Sequence, residues 1–322
     1  MYYSSVNIMH EHTKEATTMP IRKIAWKCWI LQFCLAMCFA VLDAATPTNA
    51  FELQSHKNKL FGYRKPLEVL DGGNFLRLPY DPLKDINKRD EIPVRKVKGY
   101  YVSSRPKRFE QDTAVPGNGK MLTHFAVGAL SGNSNMTVIF LHGRDGSRHL
   151  GFDDERFGGN FNRIKNLMFR SGGIYISADF ENFEKEGKKD IAALVAHYRP
   201  LTNGKLVIAC GSMGTFICWQ LARDPKASRM IDGYIIMGGF PDPKYLESGK
   251  VPKYPARSPI YFAHGSIDSA YSWKDTHRYY QTLRNLDPAI PARYVLFDNG
   301  KHGTPVRMID WRDALNWIAS MR

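Results

Sequence analysis

The stretch VIACGSMGTFICWQL, from Val207 to Leu221, changes character in its middle. Its first residues form a continuous apolar run, which is typical of a strand buried on both faces of a sheet. The run breaks at Gly211-Ser212-Met213-Gly214, and a helix is predicted from there onward. A sharp strand-to-helix turn would expose the serine and direct the Met213 amide toward it, as a nucleophile and an oxyanion donor require. The alternative role of Ser212 is that of a helix cap.

Similar apolar runs recur along the chain and alternate with helical segments. Strands are predicted at 122–130, 137–142, 174–180, 205–210, 231–237, 259–264 and 293–298, and helices at 161–172, 190–198, 214–223, 273–283 and 308–321. This alternation predicts an α/β fold with a mostly parallel central sheet and helices on both faces. The segment between Met237 and Ser258 is too short for a large lid domain.

The first fifty residues differ in composition from the rest of the chain. A basic run (19–27) precedes an apolar run (28–42) and a small, polar segment, which is the order of a secretory signal peptide. We expect residues 1–50 to be a signal peptide, with Met19 as an alternative start, and the protein to be periplasmic or secreted. A retained membrane anchor is the alternative. Residues 51–95 are expected to form an N-terminal extension with short strands, and residues 96–322 the α/β domain.

The mature chain is expected to be strongly basic and free of disulfides. The formal net charge of +14 favours anionic surroundings such as an acidic envelope surface, and no motif accompanies it that would indicate nucleic-acid binding. Removal of residues 1–50 leaves Cys210 and Cys218, which we expect to be small buried residues without a bond between them. No cofactor or metal is predicted. The acidic run 153–155 lacks the alternating spacing of a calcium loop and is predicted to be a solvated turn.

Chemically suitable residues follow three other predicted strands. Asp268 lies in the sequence HGSID and can orient an imidazole, with Asp242 as a rival acid. His302 lies in a glycine-flanked loop after the last strand and can act as a general base. The glycine of LHGRDG lets the loop bend back, so that the Arg144 amide becomes a second oxyanion donor.

Together, LHGRDG, CGSMG, HGSID and KHG resemble the oxyanion loop, nucleophile elbow, acid loop and histidine loop of the α/β-hydrolase superfamily, nearest to compact carboxylesterases, thioesterases and dienelactone hydrolases. The resemblance implies Ser212 as nucleophile, His302 as base, Asp268 as its orienter, and the amides of Met213 and Arg144 as oxyanion donors. One departure is Cys210, which stands where the family usually has a glycine.

The expected function is that of an exported serine hydrolase that cleaves a small-molecule or lipid-like ester, thioester or amide through an acyl-serine intermediate. An acyltransferase would use the same serine. A non-catalytic envelope protein of the same fold, binding an acidic polymer or partner, is the alternative from another class. Residues 147–162 are expected to form the rim of the pocket, and a pocket filled by this segment would favour the binding protein.

Overall fold

A central sheet with a mainly parallel core runs through the part of the chain that the computed structural model describes, residues 51–247, 258–286 and 290–321. Its ten strands within these ranges are β1 (Glu68–Leu70), β2 (Phe75–Pro79), β5 (Gln111–Gly117), β6 (Lys120–Gly128), β7 (Ser134–Leu141), β8 (Ile174–Ala178), β9 (Thr202–Gly211), β10 (Gly233–Met237), β11 (Ile260–Gly265) and β12 (Ala292–Asp298). Two shorter strands, β3 (Asp90–Glu91) and β4 (Lys96–Val97), pair separately. The predicted signal peptide and its Met19 start lie outside the described residues.

The strand order is β1-β2-β12-β11-β10-β9-β7-β8-β6-β5. The seven strands from β2 to β8 in this order are parallel to their neighbours. Strands β5 and β6 at one edge and β1 at the other are antiparallel to theirs. The carboxyl ends of β7, β9, β10, β11 and β12 therefore open on the same side of the sheet, where ligands bind in folds of this class.

The helices of the described residues connect these strands. They are α1 (Asn58–Phe61), α2 (Asn160–Arg170), α3 (Lys185–Tyr198), α4 (Gly214–Arg223), α5 (Pro243–Glu247), α6 (Trp273–Leu286), α7 (Thr304–Met308) and α8 (Trp311–Ser320). The helix predicted at 308–321 is in fact divided, because the Asp310 carboxylate accepts hydrogen bonds from the N–H groups of Arg312 and Asp313 and begins α8 there. Within the described ranges, no helix combines the length and the apolar character needed to cross a bilayer.

Both faces of the sheet are covered, as the apolar runs predicted. In β7, Val138 and Phe140 belong to the core on one face, whereas Ile139 and Leu141 belong to the core on the other. Helices α3, α4 and α6 pack on the second face, and α2 and α8 pack on the first. The α/β class is therefore confirmed. Among the described residues, α5 is the only helix between β10 and β11, and no large lid is present.

Residues 51–95 contribute strands to the main sheet. Phe75 of β2 pairs with Tyr294 of β12 in parallel, and β1 extends the sheet by one further strand. The start of the described chain is also fixed to α8, because Leu53 N–H donates to Asn316 Oδ1 and Leu53 O accepts from Arg312 Nε. The segment therefore forms one edge of the sheet.

The prediction that Cys210 and Cys218 are unbonded is wrong, because the two residues form a disulfide. Both are fully buried, as expected. The turn at 211–214 folds α4 back against β9, so that residues eight positions apart have Cα atoms 6.4 Å from each other. That separation is within the range that a disulfide spans. The disulfide thus joins the strand before Ser212 to the helix after it.

Candidate active site

Ser212 lies at a strained turn between β9 and α4. Its φ angle is 51°, in the left-handed region that non-glycine residues rarely adopt. The turn is held by the Ser212 N–H, which donates to Met237 O at 2.9 Å. Gly214 is required by packing, because a Cβ there would lie 2.6 Å from the carbonyl oxygen of His142. Gly211 has more room, since its nearest neighbour would be a methyl carbon of Val306 at 3.6 Å.

The structure brings Ser212, His302 and Asp268 together. His302 Nε2 lies 2.8 Å from Ser212 Oγ, and His302 Nδ1 lies 2.8 Å and 3.0 Å from the two carboxylate oxygens of Asp268. Because the carboxylate only accepts hydrogen bonds, Nδ1 is the protonated nitrogen. The unprotonated Nε2 therefore accepts the hydrogen bond from the serine hydroxyl.

The Asp268 carboxylate is inaccessible to solvent but well supplied with donors. Burial raises the pKa of this carboxyl, but hydrogen bonds from His264, His302 and the N–H groups of Ala270 and Tyr271 outweigh burial and hold the pKa well below its usual range. Asp268 is therefore ionised at neutral pH, as the orienter of an imidazole must be.

His264 is a residue of the site that the sequence argument overlooked. Its Nε2 lies 3.3 Å from Asp268 Oδ2 and 3.0 Å from the carbonyl oxygen of Tyr271. Since both neighbours are acceptors, Nε2 carries a proton and donates. The side chain is 1% exposed. The signal was present in HGSID, where the histidine precedes the aspartate by four residues.

The rival acid, Asp242, does not contact His302. Its carboxylate pairs with Arg223 at 3.0 Å and accepts the N–H of Lys244. Asp242 is buried, as is the Asp268 carboxylate, but its donors belong to α4 and α5. Of the two acids that the sequence offered, the structure therefore brings only Asp268 to the histidine.

The two predicted oxyanion donors both border Ser212. Neither the Met213 nor the Arg144 backbone N–H donates a hydrogen bond to any residue that the structure describes, so both are free for a ligand. Gly143 permits the close approach of the loop, because a Cβ there would lie 2.8 Å from Ser212 Cβ. The Arg144 side chain reaches across to Met213, with Nε 3.3 Å from Sδ.

The side chain of His142 supports this loop. Its ring stacks on Phe180 at 4.3 Å, and its Nδ1 lies 2.8 Å from the carbonyl oxygen of Gly143. Burial lowers the pKa of His142, so it is neutral at neutral pH and acts in packing.

A cavity of about 500 Å³, which we call the Ser212 cavity, opens beside these groups. Its apolar lining includes Phe140, Leu150, Phe157, Met237 and Val306. Leu150 and Phe157 belong to the segment 147–162, which was predicted to form the rim and is confirmed to do so. The segment leaves the cavity open.

The acidic run in that segment has separate partners. Asp153 accepts hydrogen bonds from the N–H groups of Glu155 and Arg156. Asp154 pairs with Lys165 at 2.7 Å, and Glu155 pairs with Lys96 at 2.7 Å. The three carboxylates point to different groups and do not converge. The turn is therefore more tightly paired than the solvated turn that the sequence predicted.

Comparisons with known proteins give only structural similarity, since no family model and no curated sequence matches the chain. An esterase of Pyrococcus furiosus aligns with a TM-score of 0.48 and 15% identity over 67% of this chain and 94% of its own. A serine hydrolase without a lid from Xanthomonas campestris aligns with a TM-score of 0.45 and 15% identity over 65% of this chain and 93% of its own. A serine hydrolase homologue from Coxiella burnetii aligns with a TM-score of 0.44 and 16% identity over 64% and 96%, respectively.

These neighbours are esterases and α/β serine hydrolases, the superfamily that the sequence motifs resemble. Similarity of this extent supports no conclusion about this chain beyond the likeness itself.

Proposed function

We propose that the protein is a serine hydrolase that cleaves a carboxylic ester through an acyl-serine intermediate. The observation that carries the proposal is the continuous hydrogen-bonded chain from Ser212 Oγ through His302 to the ionised Asp268. A serine that only capped a helix would need no imidazole at its hydroxyl.

The geometry supports the following sequence of steps. His302 Nε2 takes the proton of Ser212 as Oγ attacks the carbonyl carbon, and Asp268 stabilises the imidazolium that forms. The N–H groups of Met213 and Arg144 hydrogen-bond to the negatively charged oxygen. His302 then gives its proton to the leaving alcohol as the bond from carbon to that oxygen breaks. Water, activated by His302, hydrolyses the acyl-serine in the same manner.

The shape of the Ser212 cavity favours an ester over a large peptide or polymer. Mostly apolar side chains line a space of about 500 Å³ next to the nucleophile, which suits a short or medium acyl group. An open cavity beside these hydrogen-bonded residues also supports an enzyme over a non-catalytic binding protein. A pocket filled by residues 147–162 would have supported the binding protein instead.

Labelling with a fluorophosphonate tests the proposal. The purified chain from Phe51 onward is expected to react, and Ser212→Ala and His302→Ala are expected to abolish labelling. Ser131→Ala and His197→Ala are matched controls, because both residues are exposed and lie outside the site. Folded wild-type protein that does not react, or control variants that lose labelling equally, would reject the base-activated serine.

We further propose that the protein is exported, with residues 1–50 as its signal peptide. The Cys210–Cys218 disulfide supports this proposal, because such bonds persist mainly in oxidising compartments. Amino-terminal sequencing of the protein recovered outside the cytoplasm is expected to begin at Phe51. Recovery of a chain that keeps residues 28–42 would instead support the retained anchor.

A further inference from the structure

A second cavity, of about 680 Å³, adjoins the Ser212 cavity. The two have three lining residues in common, namely Leu150, Phe157 and Gly303. The two cavities therefore meet at these three residues. The loop that carries His302 also contributes Lys301, Gly303 and Thr304 to the lining of the second cavity. The second cavity therefore lies beside that loop.

The second cavity is rich in cationic side chains, and we call it the basic cavity. Its five cationic lining residues are Arg95, Lys96, Arg156, Lys301 and Arg307, against two acidic ones, Asp153 and Glu155. Lys96 and Arg156 are neutralised by Glu155 and Asp153, at 2.7 Å and 3.4 Å. Arg307 pairs with the buried Asp90.

Two cations of the basic cavity have no such partner. Arg95 and Lys301 are exposed, and neither forms an ion pair with an acidic residue in the described part of the chain. Their charges are therefore available to a bound anion. One of them, Lys301, immediately precedes His302 in the sequence.

A buried cation, Arg89, adds to the positive electrostatic potential of the basic cavity. Arg89 is 4% exposed, and its Nε and Nη2 donate to the carbonyl oxygen of Gly158. Among the residues that the structure describes, no carboxylate forms an ion pair with it. Burial and the neighbouring Arg307 lower the pKa of Arg89 to about 10, so it remains charged at neutral pH. Such a charge is screened little by salt, because it lies beneath the surface.

Arg89 also fixes the partition between the cavities. Phe157, whose φ angle is 49°, precedes the Gly158 carbonyl that Arg89 holds, and its ring packs edge-to-face on Phe161 with centroids 5.7 Å apart. Arg89 thus holds the backbone next to Phe157, which is one of the two side chains that border both cavities.

We propose that the basic cavity binds a carboxylate or phosphate group carried by the leaving alcohol of the ester. This proposal rests on the proposed hydrolase function. It places the apolar acyl group in the Ser212 cavity and the anionic alcohol beside Lys301, on the side of His302, which protonates the departing oxygen. The substrate class is accordingly an ester between an apolar acid and an anionic alcohol.

Two esters that differ in one charge test the inference. Hydrolysis of 4-acetoxybenzoate is compared with that of 4-acetoxybenzamide, whose leaving group has a similar shape but no charge. In the variant Lys301→Gln with Arg95→Gln, we expect kcat/KM for the anionic ester to fall about fivefold through KM, since two exposed ion pairs are lost. The value for the neutral ester should stay within about twofold.

The control variant Lys226→Gln with Lys107→Gln removes the same charge from exposed positions outside both cavities. It should leave the ratio of the two kcat/KM values unchanged. An equal effect of both double variants, or no effect of Lys301→Gln with Arg95→Gln on the ratio, would overturn the anion site.

A binding measurement separates failure of the anion site from failure of the hydrolase proposal. Ser212→Ala protein is titrated calorimetrically with each ester, and tighter binding of the anionic ester that disappears on adding Lys301→Gln and Arg95→Gln supports the basic cavity. If the wild type hydrolyses neither ester but this preference persists, only the proposed hydrolysis fails. Equal affinity for both esters rejects the basic cavity, whatever the activity.

Discussion

Replacement of Asp268 by asparagine is expected to disable the serine by reversing one hydrogen bond. The N–H groups of Ala270 and Tyr271 donate to Asp268 Oδ1 at 2.8 Å and 3.2 Å. In Asp268→Asn these donors hold the amide oxygen at the Oδ1 position. The NH₂ group then occupies the Oδ2 position, 2.8 Å from His302 Nδ1 and 3.3 Å from His264 Nε2, so the hydrogen bond that His264 donates to Oδ2 is lost as well.

An NH₂ group at that distance donates to Nδ1, so the imidazole proton moves to Nε2. His302 can then no longer accept the proton of Ser212. An aspartate-to-asparagine change in this role lowers kcat by about 10⁴-fold while the geometry is retained. That factor corresponds to about 5 kcal/mol of lost transition-state stabilisation.

The rate of fluorophosphonate labelling and kcat on an acetyl ester are the quantities to measure. Asp242→Asn is the matched control, since Asp242 is a buried carboxylate that pairs with Arg223 and does not contact His302. It should keep both rates within about threefold, because no group that contacts Ser212 changes. The reasoning is refuted if Asp268→Asn keeps more than about a tenth of the wild-type rate, or if Asp242→Asn loses as much.

Three further predictions follow from local contacts. Gly143→Ala places a Cβ 2.8 Å from Ser212 Cβ, so the labelling rate should fall about 100-fold while the melting curve shows a folded protein; an unchanged rate would contradict the close approach. The double variant Cys210→Ala with Cys218→Ala should lower the free energy of unfolding by about 2–3 kcal/mol in urea titrations without reductant. Reduction of the bond in denatured wild-type protein checks that the disulfide forms. The pKa of Asp268 is lower in the folded than in the unfolded state, so its ionisation stabilises the fold above about pH 4 and stabilises it less as the pH falls further. The difference in unfolding free energy between wild type and Asp268→Asn should therefore shrink between about pH 5 and pH 2. A difference that stays constant over this range would be inconsistent with the lowered pKa.

The central strands and the grouping of Ser212, His302 and Asp268 could be predicted because their signals are local. Apolar runs such as residues 207–210 identify strands buried on both faces, and the break at Ser212 identifies a turn whose backbone is strained. In a parallel sheet, residues that follow neighbouring strands meet at one edge, so Ser212, Asp268 and His302 were expected near one another. The structure brings them to hydrogen-bonding distance.

Other features depend on contacts that no local pattern contains. The disulfide was missed because Cys210 and Cys218 lie on a strand and a helix, and their distance is set by how sharply the intervening turn folds back. The basic cavity combines Arg95 from the extension with Lys301 from the histidine loop, so neither charge indicates a site until both are in place. The division of the last predicted helix depends on Asp310, a capping residue that the helical spacing concealed.

The pairing of β2 with β12 affects the order in which the molecule can be completed. Phe75 is made early in synthesis, but the strand that receives it contains Tyr294, near the other end of the chain. Until β12 has formed beside β11, the edge of β2 that faces away from β1 has no partner in the sheet. Strand β2 is therefore among the first strands to leave the ribosome and among the last to reach its final position, so a nascent chain keeps one open edge for most of its synthesis.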